Sequence, residues 1–120
     1  MPKFMLCLHD DPAPFMAMSP EEMQKAIEKY VAWGAKLRAA GVLVDSAKLT
    51  DEPGRVVRGH GKDIRVTDGP YSETKEVFGG YYTITADSYE KAIDLTRDCP
   101  SLEFGGTMEV RQIDDMGAGD

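Results

Sequence analysis

A single helix with both of its ends written into the sequence constrains this chain most. Ser19-Pro20-Glu21-Glu22 supplies a serine that can cap free backbone N–H groups, a proline at the first helical position and a glutamate that completes a capping box. Met23, Ile27, Tyr30 with Val31, Gly34 and Leu37 then recur at helical spacing, which predicts one buried face. Gly41 ends the helix as the residue that tolerates a left-handed backbone. Apolar runs at Lys3 to His9 and Val42 to Leu49 read as strands on either side, so the chain opens β-α-β.

The second half repeats that order. Pro12 and Pro14 mark a loop, and Pro53-Gly54 and Gly59 to Gly61 flank a short strand at Arg55 to Arg58. Asp63 to Thr67 pairs with it in a polar hairpin, closed by Asp68-Gly69-Pro70. Tyr81 to Ala86 is an aromatic and β-branched strand. Asp87 and Glu90 form a second capping box, and the helix from Ser88 buries Tyr89, Ala92, Ile93 and Thr96 before Pro100 stops it. Thr107 to Ile113 closes the sheet, residues 1–113 make one domain, and 114–120 form a flexible acidic tail. Two β-α-β halves with a β-hairpin insertion describe an α+β, ferredoxin-like βαββαβ arrangement. Both helices then cover one sheet face, and face-to-face homodimerisation is the simplest cover for the other.

Charge removes some functions. The net charge of −7 opposes a nucleic-acid binder, which needs basic groups against phosphate, and a polybasic membrane-surface module. Residues 87–120 carry 9 acidic and 3 basic side chains, so most of the excess lies in the C-terminal region and reads as a solubility property. No run approaches the ~20 apolar residues of a bilayer span, and the apolar start is too short for a secretory signal, so the expected compartment is the cytoplasm. Cys7 and Cys99 then read as reduced, buried thiols. The seven methionines read mostly as flexible core filler.

The stretch Asp68-Gly69-Pro70-Tyr71-Ser72-Glu73-Thr74-Lys75-Glu76, followed by Gly79-Gly80-Tyr81-Tyr82, resembles the hallmark of the YCII-related family in its DGPF-domain branch. Ser19 to Met23, Leu37 to Val44 and Gly105 to Arg111 agree with it, and Tyr71 stands where the family usually has phenylalanine. The resemblance implies a subunit that pairs into a dimeric α/β barrel, and a gene neighbourhood often shared with extracytoplasmic-function sigma factors. A histidine proposed as functional in related shorter proteins aligns with Tyr30.

Several residues could carry chemistry. His9, in His9-Asp10-Asp11, is the best candidate for a general base near neutral pH, whereas one further histidine, His60 among turn glycines, gives no metal-ligand spacing. Asp45 shares strand parity with apolar Leu43, which makes it a candidate to face a cavity. Asp68, Gly69 and Pro70 suit a turn, while Tyr71, Glu73 and Lys75 are not required by one and read equally as ligand contacts. Tyr81 and Tyr82 point to opposite faces, one under the helices and one with its hydroxyl available to a ligand, and Glu109 with Arg111 reads as a surface ion pair. The expected catalytic set is therefore His9, Asp45, Glu73 and Lys75, and the expected ligand contacts are Asp68, Tyr71, Tyr30 and Tyr82, with no metal and no cofactor. The chain is expected to bind a small molecule, or to act on one by proton transfer, in a polar cavity near a homodimer interface. A regulatory module tied to a sigma-factor pathway protein is the alternative.

Overall fold

The computed structural model describes residues 1–52, 54–68 and 77–115. In chain order the elements are β1 (Lys3–Asp10), α1 (Ala13–Met16), α2 (Pro20–Ala39), β2 (Leu43–Lys48), β3 (Arg55–Arg58), β4 (Arg65–Asp68), β5 (Val77–Thr85), α3 (Tyr89–Thr96), α4 (Pro100–Glu103) and β6 (Thr107–Gln112). Four strands form an antiparallel sheet in the order β2-β5-β1-β6, the ferredoxin-like arrangement, and β3 with β4 form a separate two-stranded sheet. The fold is α+β, with the helices on one face of the larger sheet. No helix among the described residues is long and apolar enough to cross a membrane.

Alternation along β1 separates the two faces. Phe4, Leu6 and Leu8 point to the helices and form the core with Trp33, Leu37, Ile84, Ala86, Ala92 and Cys99. Both cysteines are free and buried. Met5, Cys7 and His9 point to the face without helices. Register lines up three rows across that face: Asp45-Thr83-Met5-Arg111, Ala47-Tyr81-Cys7-Glu109, and Phe78-His9-Thr107.

α2 starts and stops where its caps dictate. Ser19 Oγ accepts from the Glu22 N–H at 3.1 Å, Glu22 Oε1 accepts from the Ser19 N–H at 3.0 Å, and Gly41 has φ +75°. Its buried face differs from the predicted one. Ala26, Trp33, Gly34 and Leu37 are buried with Tyr30 packed against the core, while Ile27 is 47% and Val31 65% exposed. Two stripes at helical spacing compete on this helix, and the one carrying the large Trp33 ring takes the interior. That ring meets Tyr82 edge-on at 4.6 Å and donates from Nε1 to the Leu95 carbonyl at 3.2 Å. Lys29 with Glu103 and Lys36 with Asp98 tie the outer side of α2 to the segment around α4.

Three further expectations are corrected. Ser88, not Asp87, caps α3, accepting from the Lys91 N–H at 3.2 Å; Ala92 and Thr96 are buried, but Tyr89 and Ile93 are 42% and 43% exposed. β5 begins at Val77 and runs through Gly79-Gly80, because a Cβ on Gly80 would lie 2.8 Å from the Ala47 carbonyl of β2. Gly80 thus permits the close approach of β2, and the strand starts four residues before the expected Tyr81. Ala13–Met16 is a short helix where a loop was expected, and Met16 is 83% exposed, so it fills no core.

The phase of α2 can be tested by chemical denaturation. Leu37→Ala should cost about 2–5 kcal/mol through the cavity it leaves, whereas Val31→Ala should stay within about 0.5 kcal/mol. Equal effects would contradict the observed burial.

Candidate functional site

Two adjacent residues at the end of β1 carry the polar chemistry, and the pleat sends them to opposite faces. On the face without helices, His9 Nε2 lies 3.2 Å from Glu109 Oε1, and Arg111 Nη1 donates to Glu109 Oε2 at 3.1 Å. Glu109 and Arg111 share a face of β6 at i, i+2, and antiparallel pairing of β1 with β6 brings His9 to them. The guanidinium first, and the imidazole second, hold the Glu109 carboxyl below its ordinary range. An Nε2–H tautomer of the imidazole can donate to the ionised Glu109, which leaves Nδ1 as an acceptor. The Phe78 ring packs beside His9 at 5.4 Å. Cys7 lies in the row between Tyr81 and Glu109, and burial, then the Glu109 charge, pushes its thiol up.

On the helix side Asp10 faces α4. The fully buried Ser101 hydroxyl is 3.4 Å from Asp10 Oδ2 and 2.8 Å from the Tyr30 hydroxyl. The Asp10 carboxylate fits because Gly106 has no side chain: a Cβ there would lie 2.2 Å from Asp10 Oδ1 and 2.9 Å from the Ser101 carbonyl. Burial pushes the Tyr30 phenol up to about 12, against the Ser101 hydrogen bond that lowers it. At neutral pH this phenol is therefore a hydrogen-bond donor or acceptor and not a base. Burial also raises the Tyr82 phenol and the Cys99 thiol on the same side of the sheet.

The expected site residues do not all converge. His9 and Tyr30 are near the end of β1, on opposite sides of the sheet. Asp45 is on the open face, but it does not share that face with Leu43 as strand parity predicts: an irregularity in β2 sets Leu43 opposite Ile84 of the core and Asp45 opposite Thr83. Asp45 is two strands and two rows from His9, more than about 15 Å by strand spacing, so the two share no site. Tyr82 packs under α2, and it is Tyr81 that occupies the open face. Asp68 ends β4, paired with Arg55 at 3.6 Å. Tyr71, Glu73 and Lys75 lie outside the described residues; the segment that carries them leads into Val77, the register partner of Asp10. The link between His9 and Glu109 spans a separation of 100 residues, so only the β1–β6 register could have revealed it. Ser101 gave no signal at all. Among the described residues no group of three or more His, Cys, Asp or Glu could hold a metal ion.

The YCII-related domain model matches residues 2–117, and the chain belongs to that family. The chain is also similar to an uncharacterised protein of Rhizobium meliloti (strain 1021), at 33% identity over 111 residues, covering 90% of this chain and 88% of that protein.

The shifted phenol gives a stability test. Tyr30 ionises near 10 in the unfolded chain and near 12 in the folded one, so its contribution is complete below pH 10 and is lost as pH rises toward 12. Denaturant midpoints measured across that window should fall less steeply in Tyr30→Phe than in the wild type. Parallel slopes would show that Tyr30 titrates normally.

Proposed function

We propose that this protein binds a small organic anion on the open sheet face at the end of β1, and that His9 exchanges a proton with it without a cofactor. The observation that carries the reading is the hydrogen-bonded set His9–Glu109–Arg111. A base needs an orienting partner to fix its tautomer and a way to stabilise the cation it becomes, and Glu109 supplies both. Arg111 commits one donor to Glu109 and has others to offer a carboxylate of the ligand. On the far side of β1, the Asp10–Ser101–Tyr30 contacts hold the strand end in place.

An open sheet face is a poor site, because water competes for every contact. A second subunit packed across it as a dimeric α/β barrel gives the enclosure that proton transfer requires, and this dimer is part of the proposal. Glu73, Lys75 and Tyr71 of the Asp68–Glu76 motif are proposed as additional ligand contacts on their chemistry. Asp45 is at the other end of the face and has no catalytic role in this scheme.

Thermal shift with a panel of small aliphatic and aromatic carboxylates tests the binding step. A true ligand at a hundredfold excess over its Kd should raise the melting temperature by on the order of 10 °C. Arg111→Gln should abolish the shift, Asp45→Asn should keep it, and His9→Asn should bind but fail to exchange ligand hydrogen with deuterated solvent. Failure of every anion to stabilise the wild type would overturn the reading in favour of a regulatory module with a protein partner. Binding without exchange in the wild type would leave a binding protein and remove the catalytic step.

A further inference from the structure

The pairing of β5 with β1 is irregular at one place, next to His9. Leu8 lies opposite Gly80, and the following residue, His9, lies opposite Phe78, so β5 carries one residue more than β1 there, Gly79. Regular pairing from Leu8 and Gly80 would set Gly79 opposite His9 and Phe78 opposite Asp10, whose side chain faces the helices. The extra residue reverses the alternation, and Phe78 joins Tyr81 on the open face although the two are three residues apart. A bulge gives up regular ladder pairing and re-aims a side chain, and such bulges concentrate beside functional sites.

The re-aimed ring is not absorbed by the core. Phe78 is 43% exposed, and its ring lies 5.4 Å from the His9 ring at 46°. Tyr81 follows one row away, opposite Cys7. Across β1 from these two rings, Glu109 joins His9 to Arg111 through its two carboxylate oxygens. This end of the face is therefore a strip with aromatic rings along β5, charged groups along β6 and the small Cys7 side chain between them.

We infer that the ligand of this site is an aromatic carboxylate and that Phe78 selects it, an inference that rests on the anion site proposed at Arg111. A carboxylate held by the remaining donors of Arg111 directs the body of the ligand over Cys7 and toward His9, against Phe78 and Tyr81. A planar ring meets those rings edge-on or offset-stacked, and each such pair favours an arene over a saturated ring of the same size by roughly two- to tenfold. Phe78 then forms one wall of the ligand cavity, which accounts for an exposed ring carried to this position by a bulge. Phe78 is a specificity residue in this scheme, and the proton still passes to His9.

Calorimetric titration with benzoate and with cyclohexanecarboxylate, which match in charge and ring size, tests the assignment. Benzoate should bind the wild type at least fivefold more tightly. Phe78→Leu should remove most of that preference by weakening benzoate alone, and Phe78→Tyr should keep it; neither variant opens the core, because the ring is exposed. In the wild-type complex the benzoate ring protons should show nuclear Overhauser contacts to the Phe78 ring. Equal affinities, a preference for the saturated acid, or a preference that survives Phe78→Leu would overturn the aromatic assignment. Each of those results leaves anion binding at Arg111 in place and makes Phe78 an apolar contact for the covering subunit only. Absence of binding by every carboxylate in the wild type is instead the failure of the Arg111 site, and the aromatic class falls with it.

Discussion

β1 lies between β5 and β6, so its backbone is hydrogen bonded along both edges and its side chains are divided between two unlike surroundings. Phe4, Leu6 and Leu8 meet Trp33 and Leu37 on the helix side, and this contact sets the position of α2. The same pleat carries Met5, Cys7 and His9 to the other face, where no helix among the described residues covers them. Fixing the apolar half of the strand therefore fixes the polar half as well. A one-residue slip would move Phe4 and Leu8 out of the core and His9 into it. The register that holds the protein together is the register that aims His9 at Glu109.

The glycines near the strand end follow from this arrangement. A carboxylate on the helix side of β1 needs room beside the β6 backbone, and Gly106 provides it by lacking a Cβ. Gly80 serves β2 in the same way, letting Ala47 approach. Both glycines belong to the segments on which the family resemblance rests, and each has a steric reason to be there.

Much of the architecture was legible because the signals were local. The Ser19–Glu22 box, Gly41 and the order of strands and helices need no distant contact to be read, and they led to the ferredoxin-like sheet. The phase of α2 was not legible in the same way. Ile27 with Val31, and Trp33 with Leu37, both fit a helical repeat, and only the volume available under the helix decides between them. The same limit applies at Asp45, where one irregular residue in β2 breaks the parity rule. His9 was legible as a base from its type, but Glu109 as its partner was not, because the pairing is made by β1 lying next to β6.

The polar set on the open face also bears on how a second sheet could cover it. Removing Glu109 and Arg111 from water is costly, and the loss is recovered only if both remain paired, as they are already in the single chain. Pre-pairing lowers that cost but leaves little surplus, so these residues do not supply the strength of an association. Their contribution is to position: a covering surface must leave room for the His9 ring and for a ligand on Arg111, or pay the full penalty of an unpaired charge. Met5 and the exposed Phe78 on the same face are the apolar groups that a covering surface would remove from water. Strength and placement thus come from different residues of one face. In the proposed assembly a cavity over His9 would cost little, since the apolar groups that favour association lie beside it and not in it.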